Sequence, residues 1–323
     1  MIGPESGASC NEDFFASPAV YELGAVFGSD DWCDPKQVVE QTQPWLHGAA
    51  LPQLSVEQRQ QAHNLLGELR LIEECEAPAG EYDQVVILGG LGPSNITRSR
   101  YAVKQLERPE VGLRPDGKIV GWFGPRQPGE LELSAIKTML ADTRALPQKP
   151  KTQNPREKEP HIVAQYRDVN LGPELVDETG QGALVLHKQL GGLMLSQMDL
   201  RLADARPNPL VSAHTFRTAT HDVVLMNGRP VQRGGRGEMR HTTESCAAEW
   251  ITGRHAPQPG SRVLFVTSNP FIQRTTRNVQ RVVSKYGAEG VEVVGCGPHV
   301  GAHTGTSDLL KEFARLAYEN ARG

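Results

Sequence analysis

The chain has 323 residues, 38% of them apolar and 22% charged, with a formal net charge of −4. That length buries a substantial core, as one large domain or two smaller ones, and the composition excludes a disordered chain. The slight acidity gives no basis for a nucleic-acid or acidic-membrane surface, so any basic site has to be local.

Residues 1–81 read as an N-terminal helical extension. Ser55 and Gln58 make a capping box ahead of a helix whose apolar side is Ala62, Leu65, Leu66, Leu69 and Ile72, with Pro78 and Gly80 ending it. The opening, MIGPESGASCNEDFF, lacks a basic segment followed by an apolar one. No apolar run approaches the roughly 20 residues that span a bilayer. Cys10, Cys33, Cys75, Cys246 and Cys296 are scattered and form no CxxC pair. They read as reduced thiols, and the chain as a cytoplasmic protein.

Runs at 85–88, 118–123, 222–226, 262–267 and 291–294 are apolar on mostly consecutive positions. Continuous apolarity without alternation indicates strands buried on both faces. Helical patterns lie between them: Tyr101, Val103 and Leu106 after the first, Ala247, Ala248 and Ile251 before the fourth, Val279, Val282, Val283 and Tyr286 after it. Leu309, Leu310, Phe313, Leu316 and Ala317 form a closing helical stripe. This pattern predicts an α/β fold with a doubly wound, mostly parallel sheet, its site at the carboxyl ends of the strands. The sheet domain is expected in two parts, 82–145 and 221–323. Between them, 146–220 begins with the polar, Pro- and Lys-rich LPQKPKTQNPREKEPH and continues as a middle insertion with one helical core near 184–198. The insertion caps the sheet, makes a contact between copies in a homo-oligomer, or adds a helix to the core.

Three segments carry candidate chemistry. In QVVILGGLGPSNITRSR (84–100) a strand runs into Gly89, Gly90 and Gly92, followed by Arg98 and Arg100. Asn95 stands where a dinucleotide fingerprint has its third glycine, and no acidic ribose anchor is evident, which disfavours a nicotinamide enzyme. Outward backbone N–H groups and a helix starting near Ser94 suit an anion; a tight turn with two solvated arginines is the competing explanation. In NGRPVQRGGRGEMRHTTES (227–245), Arg229, Arg233, Arg236 and Arg240 precede a helix capped by Thr242 or Thr243. This local charge favours a phosphate or carboxylate, although a solvated loop has the same composition. In RVLFVTSNPFIQRTTRNV (262–279) a strand delivers Thr267 and Ser268 at its tip, with Arg274 and Arg277 in the helix that follows. Such hydroxyls donate to phosphate oxygens or cap a helix.

VVILGG with its following arginine, GWFGPRQPGE, HTTES and VLFVTSNPFIQR occur in the order seen in YdcF/SanA/ElyC-like proteins, and the chain resembles that family over 82–132 and 236–295. The resemblance implies a Rossmann-like sheet with a polar cleft lined by Gly89, Gly90, Arg98, Gly124, Glu130, Thr243, Glu244, Thr267, Ser268 and Arg274. It also carries S-adenosylmethionine binding and envelope lipid-carrier roles as expectations, the second at odds with the lack of a spanning segment.

Glu130, His241 and Glu244 are the candidate acid–base groups. His299 and His303 lie four apart, in a glycine-rich loop that does not fix both rings on one face, and no metal set is assigned. The leading expectation is an enzyme acting on a phosphorylated or nucleotide-like small molecule by hydrolysis or group transfer. In it Arg98, Arg236 and Arg274 hold the anion, Gly90 and Gly92 complete the cradle, and Glu130 or His241 handles the proton. The cofactor stays open between S-adenosylmethionine and a divalent metal. The rivals are an S-adenosylmethionine-binding protein and a non-catalytic binding or interaction module; no nucleic-acid or membrane partner is expected.

Overall fold

The computed structural model describes residues 12–89, 92–122, 201–204, 213–217, 222–226, 231–232, 239–240, 242–301 and 304–322. Two compact units account for them. One comprises Met1–Cys75, Asn269–Arg277 and His299–Gly323; the other comprises Glu76–Ser268 and Asn278–Pro298.

The second unit is built on a seven-stranded sheet. Its strands are β1 (Gly80–Leu88), β2 (Val111–Trp122), β3 (Arg201–Asp204), β4 (Ala213–Arg217), β5 (Asp222–Met226), β8 (Arg262–Val266) and β9 (Glu292–Cys296), in the order β3-β4-β5-β2-β1-β8-β9. The five strands from β5 to β9 in that order run parallel, and β4 and β3 add antiparallel at the β5 edge. The five parallel strands are those expected from the apolar runs. β1, β2, β8 and β9 bury side chains on both faces. Val85 and Ile87 pack with Tyr101, Ala102 and Val103 of the helix α5 (Gly92–Leu106). Val86 and Leu88 pack on the other face with Cys246, Ala247 and Trp250 of α6 (Thr243–Thr252) and Val279, Val282 and Val283 of α7 (Ile272–Lys285). Helices thus cover both faces of a doubly wound, Rossmann-like sheet.

β3 and β4 fall within the expected insertion, so the end of that segment belongs to the sheet. Short antiparallel strands at an edge carry no long apolar run, which is why the sequence pattern passed over them. The expected helical core near 184–198 lies outside the described residues. The arginine-rich stretch, expected as a loop, contains the antiparallel pair β6 (Val231–Gln232) and β7 (Met239–Arg240).

The first unit is helical: α1 (Glu12–Phe15), α2 (Pro18–Val26), α3 (Pro35–Leu46), α4 (Val56–Glu68) and α8 (Thr306–Ala321) share one core, which includes Leu23, Trp32, Leu66 and Phe313. The Ser55–Gln58 capping box closes in both directions, Gln58 N donating to Ser55 Oγ at 3.1 Å and Ser55 N to Gln58 Oε1 at 3.0 Å. α4 stops at Glu68, earlier than expected, because Arg70 takes a left-handed φ of 57° while Leu71 N returns to Leu66 O. Leu69 stays buried and Ile72 packs against the same core beyond the helix end, which extended the apolar pattern past it.

α8 differs from expectation too. Its stripe, Leu309, Leu310, Phe313, Leu316 and Ala317, is buried as predicted, but against the N-terminal helices rather than the sheet. Trp32 and Phe313 stack with ring centroids 5.5 Å apart. α7 divides between the units: its residues through Arg277 belong to the helical one, and those from Asn278 to the sheet.

Candidate functional site

Chain order fixes where the parallel sheet opens. β1, β2 and β5 step outward in one direction, whereas β8 falls on the other side of β1 and β9 beyond it. Connections leave β1 and β8 in opposite directions, which makes the gap between their carboxyl ends the topological switch point where such sheets bind ligands. The last paired residues there are Ile87 and Val266.

Arg98 closes this gap. α5 brings it back over the end of β1, where Nη1 donates to Leu88 O at 2.7 Å and to Gly89 O at 3.0 Å. Nε and Nη2 donate to Ser268 Oγ at 3.3 and 3.1 Å. Phe265 faces α6 and α7 and Val266 faces α5, so continued alternation turns Ser268 toward α5 and its arginine. Arg98 is 5% exposed, and among the described residues no carboxylate pairs with it. Burial alone pulls its pKa down to about 10, so the guanidinium remains charged at neutral pH.

Among the described residues, Thr267 Oγ1 beyond the end of β8 and Trp122 Nε1 at the end of β2 are buried without a hydrogen-bond partner. Thr267 N donates to Cys296 O at 3.0 Å. The indole of Trp122 packs in the core against Trp250 and Phe265. Trp250, by contrast, donates to Gln84 Oε1 at 2.9 Å.

The other expected site residues are placed as follows. Gly89 donates its N–H to Trp122 O at 2.6 Å, which spends that group on the sheet rather than on an anion. Gly92 opens α5 and Asn95 lies in it. Thr242, not Thr243, is the N-cap of α6, in a capping box with Ser245. Glu244 follows in the first turn, half exposed, and pairs with Arg281 Nη2 at 2.9 Å. Arg274 is committed elsewhere: its Nε donates to Glu312 of α8, whose other oxygen accepts from Arg315 Nη1 at 3.0 Å. Gly90, Gly124, Glu130, Arg236 and His241 lie outside the described residues, as does His303.

Trp122 Nε1 was not among the expected site atoms. Its only sequence signal was a tryptophan at the last position of a buried strand, which reads first as core. A shallow depression of about 440 Å³, lined by Gln280, Ser284 and residues 287–292, lies at the start of β9, away from the switch point. Among the described residues, no group of three or more His, Cys, Asp or Glu is placed to hold a metal ion, and no helix is long and apolar enough to cross a membrane.

No protein-family model matches the chain, and neither a curated protein nor a solved structure does.

Proposed function

We propose that the carboxyl ends of β1 and β8 hold a small anionic molecule, phosphorylated or nucleotide-like, and that the protein acts on it by hydrolysis or group transfer. The observation that carries this is Arg98, a buried guanidinium whose acceptors are two backbone carbonyls and a serine hydroxyl, all neutral. A charge taken out of water without a counter-charge is costly. An anion at the switch point supplies that counter-charge without displacing any carboxylate of the described residues. The Thr267 hydroxyl, buried at the end of β8 without a hydrogen-bond partner among the described residues, adds a group able to donate to a ligand oxygen. Glu130 and His241 retain the proton-handling role that the sequence suggests, and Glu244, held by Arg281, serves α6 and α7. Arg274, already neutralised by Glu312, is left out of the site.

A thermal-shift panel of phosphate, diphosphate, nucleotides, sugar phosphates and S-adenosylmethionine, with and without divalent metal, tests this. A ligand at about a hundred times its dissociation constant adds about 2.7 kcal/mol. At roughly 2–4 °C per kcal/mol this is a shift of several degrees. Phosphorylated compounds are expected to raise the midpoint, and those that do are then assayed for turnover. No shift with any of them would overturn the anion site. Binding without turnover would leave a binding module, and a response to S-adenosylmethionine alone would favour that cofactor.

A further inference from the structure

We propose that Ser268 touches the ligand at this site, that it does so only as a hydrogen-bond donor, and that Arg98 is a positioning residue acting through it. This deepens the anion-site proposal and rests on it. A guanidinium has five N–H groups. Four are spent here: two on the carbonyls of Leu88 and Gly89, and two on the single oxygen of Ser268. Arg98 is 5% exposed and tied on both sides, so turning toward a ligand would strip the end of β1 of two hydrogen bonds.

Ser268 is the more accessible of the pair, partly exposed where Arg98 is buried. A hydroxyl carries one proton and two lone pairs. Both lone pairs face the N–H groups of Arg98, which leaves the proton as the group's remaining capacity. Among the described residues, no acceptor takes that proton. Two charge-assisted bonds into the oxygen polarise the O–H and strengthen it as a donor. The ligand atom against Ser268 therefore has to be an acceptor, a phosphate or carboxylate oxygen, and an ammonium or amide N–H is turned away. The buried charge reaches the ligand through the serine while its own geometry stays fixed by the strand end.

Calorimetric titration with inorganic diphosphate tests this on the wild type, Ser268→Ala, Arg98→Lys and the double variant, with ligand-free melting as the folding control. Ser268→Ala is expected to weaken binding by about tenfold or more, the loss of a hydrogen bond to a charged group. Arg98→Lys keeps the charge but loses the fork, so it weakens binding in the Ser268 background and adds nothing once Ser268 is alanine. That coupling separates positioning from a merely structural role, which would give additive losses. Ser268→Cys, of similar shape but a poor donor, is expected to lose affinity like alanine, and it carries the comparison if the alanine variant does not fold. Wild-type affinity in Ser268→Ala or Ser268→Cys, or additive losses in the double variant, would overturn the inference while leaving the anion site standing. Absence of diphosphate binding to the wild type would remove the anion site and the inference together.

Discussion

Arg98 donates to the carbonyl of Leu88 at 2.7 Å, so the helix that follows β1 ties itself back to the end of that strand by a buried charge. The contact fixes the edge of the switch point. It also places a cation where the sheet's connectivity leaves room for a ligand.

Burial lowers the pKa of Arg98 from its ordinary guanidinium value to about 10 in the folded chain. A depressed folded pKa means that the unfolded chain holds the proton more tightly. The group therefore works against stability below about pH 10, and the penalty fades as pH rises from there toward the ordinary guanidinium range. Relative to Arg98→Met, wild-type stability is expected to rise across that window, measured by urea unfolding at successive pH values. A saturating anion against Ser268, by placing a counter-charge near the guanidinium, should flatten the rise.

Tyr82 carries the opposite sign. Burial raises its hydroxyl to about 12, with the Arg262 guanidinium opposing the shift. Its stability contribution is whole below the ordinary pKa of 10 and is lost as pH climbs through 12. Tyr82→Phe gives up the bond to Pro78 O at 2.7 Å, an expected cost of about 1 kcal/mol at neutral pH. The same variant should lack the wild type's added loss between pH 10 and 12.

Arg274→Ala separates structure from function. Glu312 has a side chain only 1% exposed and would keep Arg315 alone. Breaking a buried pair costs about 3–5 kcal/mol, and the remaining arginine brings the expected loss toward the low end. Diphosphate affinity is expected to stay at the wild-type value. Calorimetry at a temperature where the variant is folded reads this directly, and a drop in affinity would return Arg274 to the site.

Arg274 also marks the limit of the sequence reading. Its position after the VTS strand end suggested a cleft residue, but its partner Glu312 is 38 positions away, and no local pattern announces such a pair. The strands were legible for the opposite reason. Val85 to Leu88 bury on both faces, so the apolar run itself signals a central parallel strand. The Ser55–Gln58 box was legible because both of its bonds are local. The stripe of α8 identified a helix but not which core receives it, since apolar residues pack against whichever surface the topology presents. At the site, Arg98 stood out as a cation behind a glycine turn. That it is buried and shares its donors with Ser268, 170 residues on, follows only from the sheet order.

Gly24→Ala tests the packing of the helical unit. Alanine is favoured over glycine in a helix by about 1 kcal/mol. A β-carbon at position 24 would stand 2.6 Å from Trp32 Cγ and 2.8 Å from its Cβ, and Trp32 is fully buried, held between Phe27 and Phe313. The overpacking cost of about 1–3 kcal/mol exceeds the propensity gain, so thermal melting should show a net loss. A stabilised variant would mean that Trp32 has room to move.

The most direct measurement is a crystal structure of the protein with inorganic diphosphate bound. The anion is expected between the ends of β1 and β8, with an oxygen within hydrogen-bond distance of Ser268 Oγ and Arg98 still bonded to Leu88 and Gly89. Diphosphate seated anywhere else, whether on the 227–245 arginine stretch or beside Gln280, would contradict the assignment of the site to the switch point.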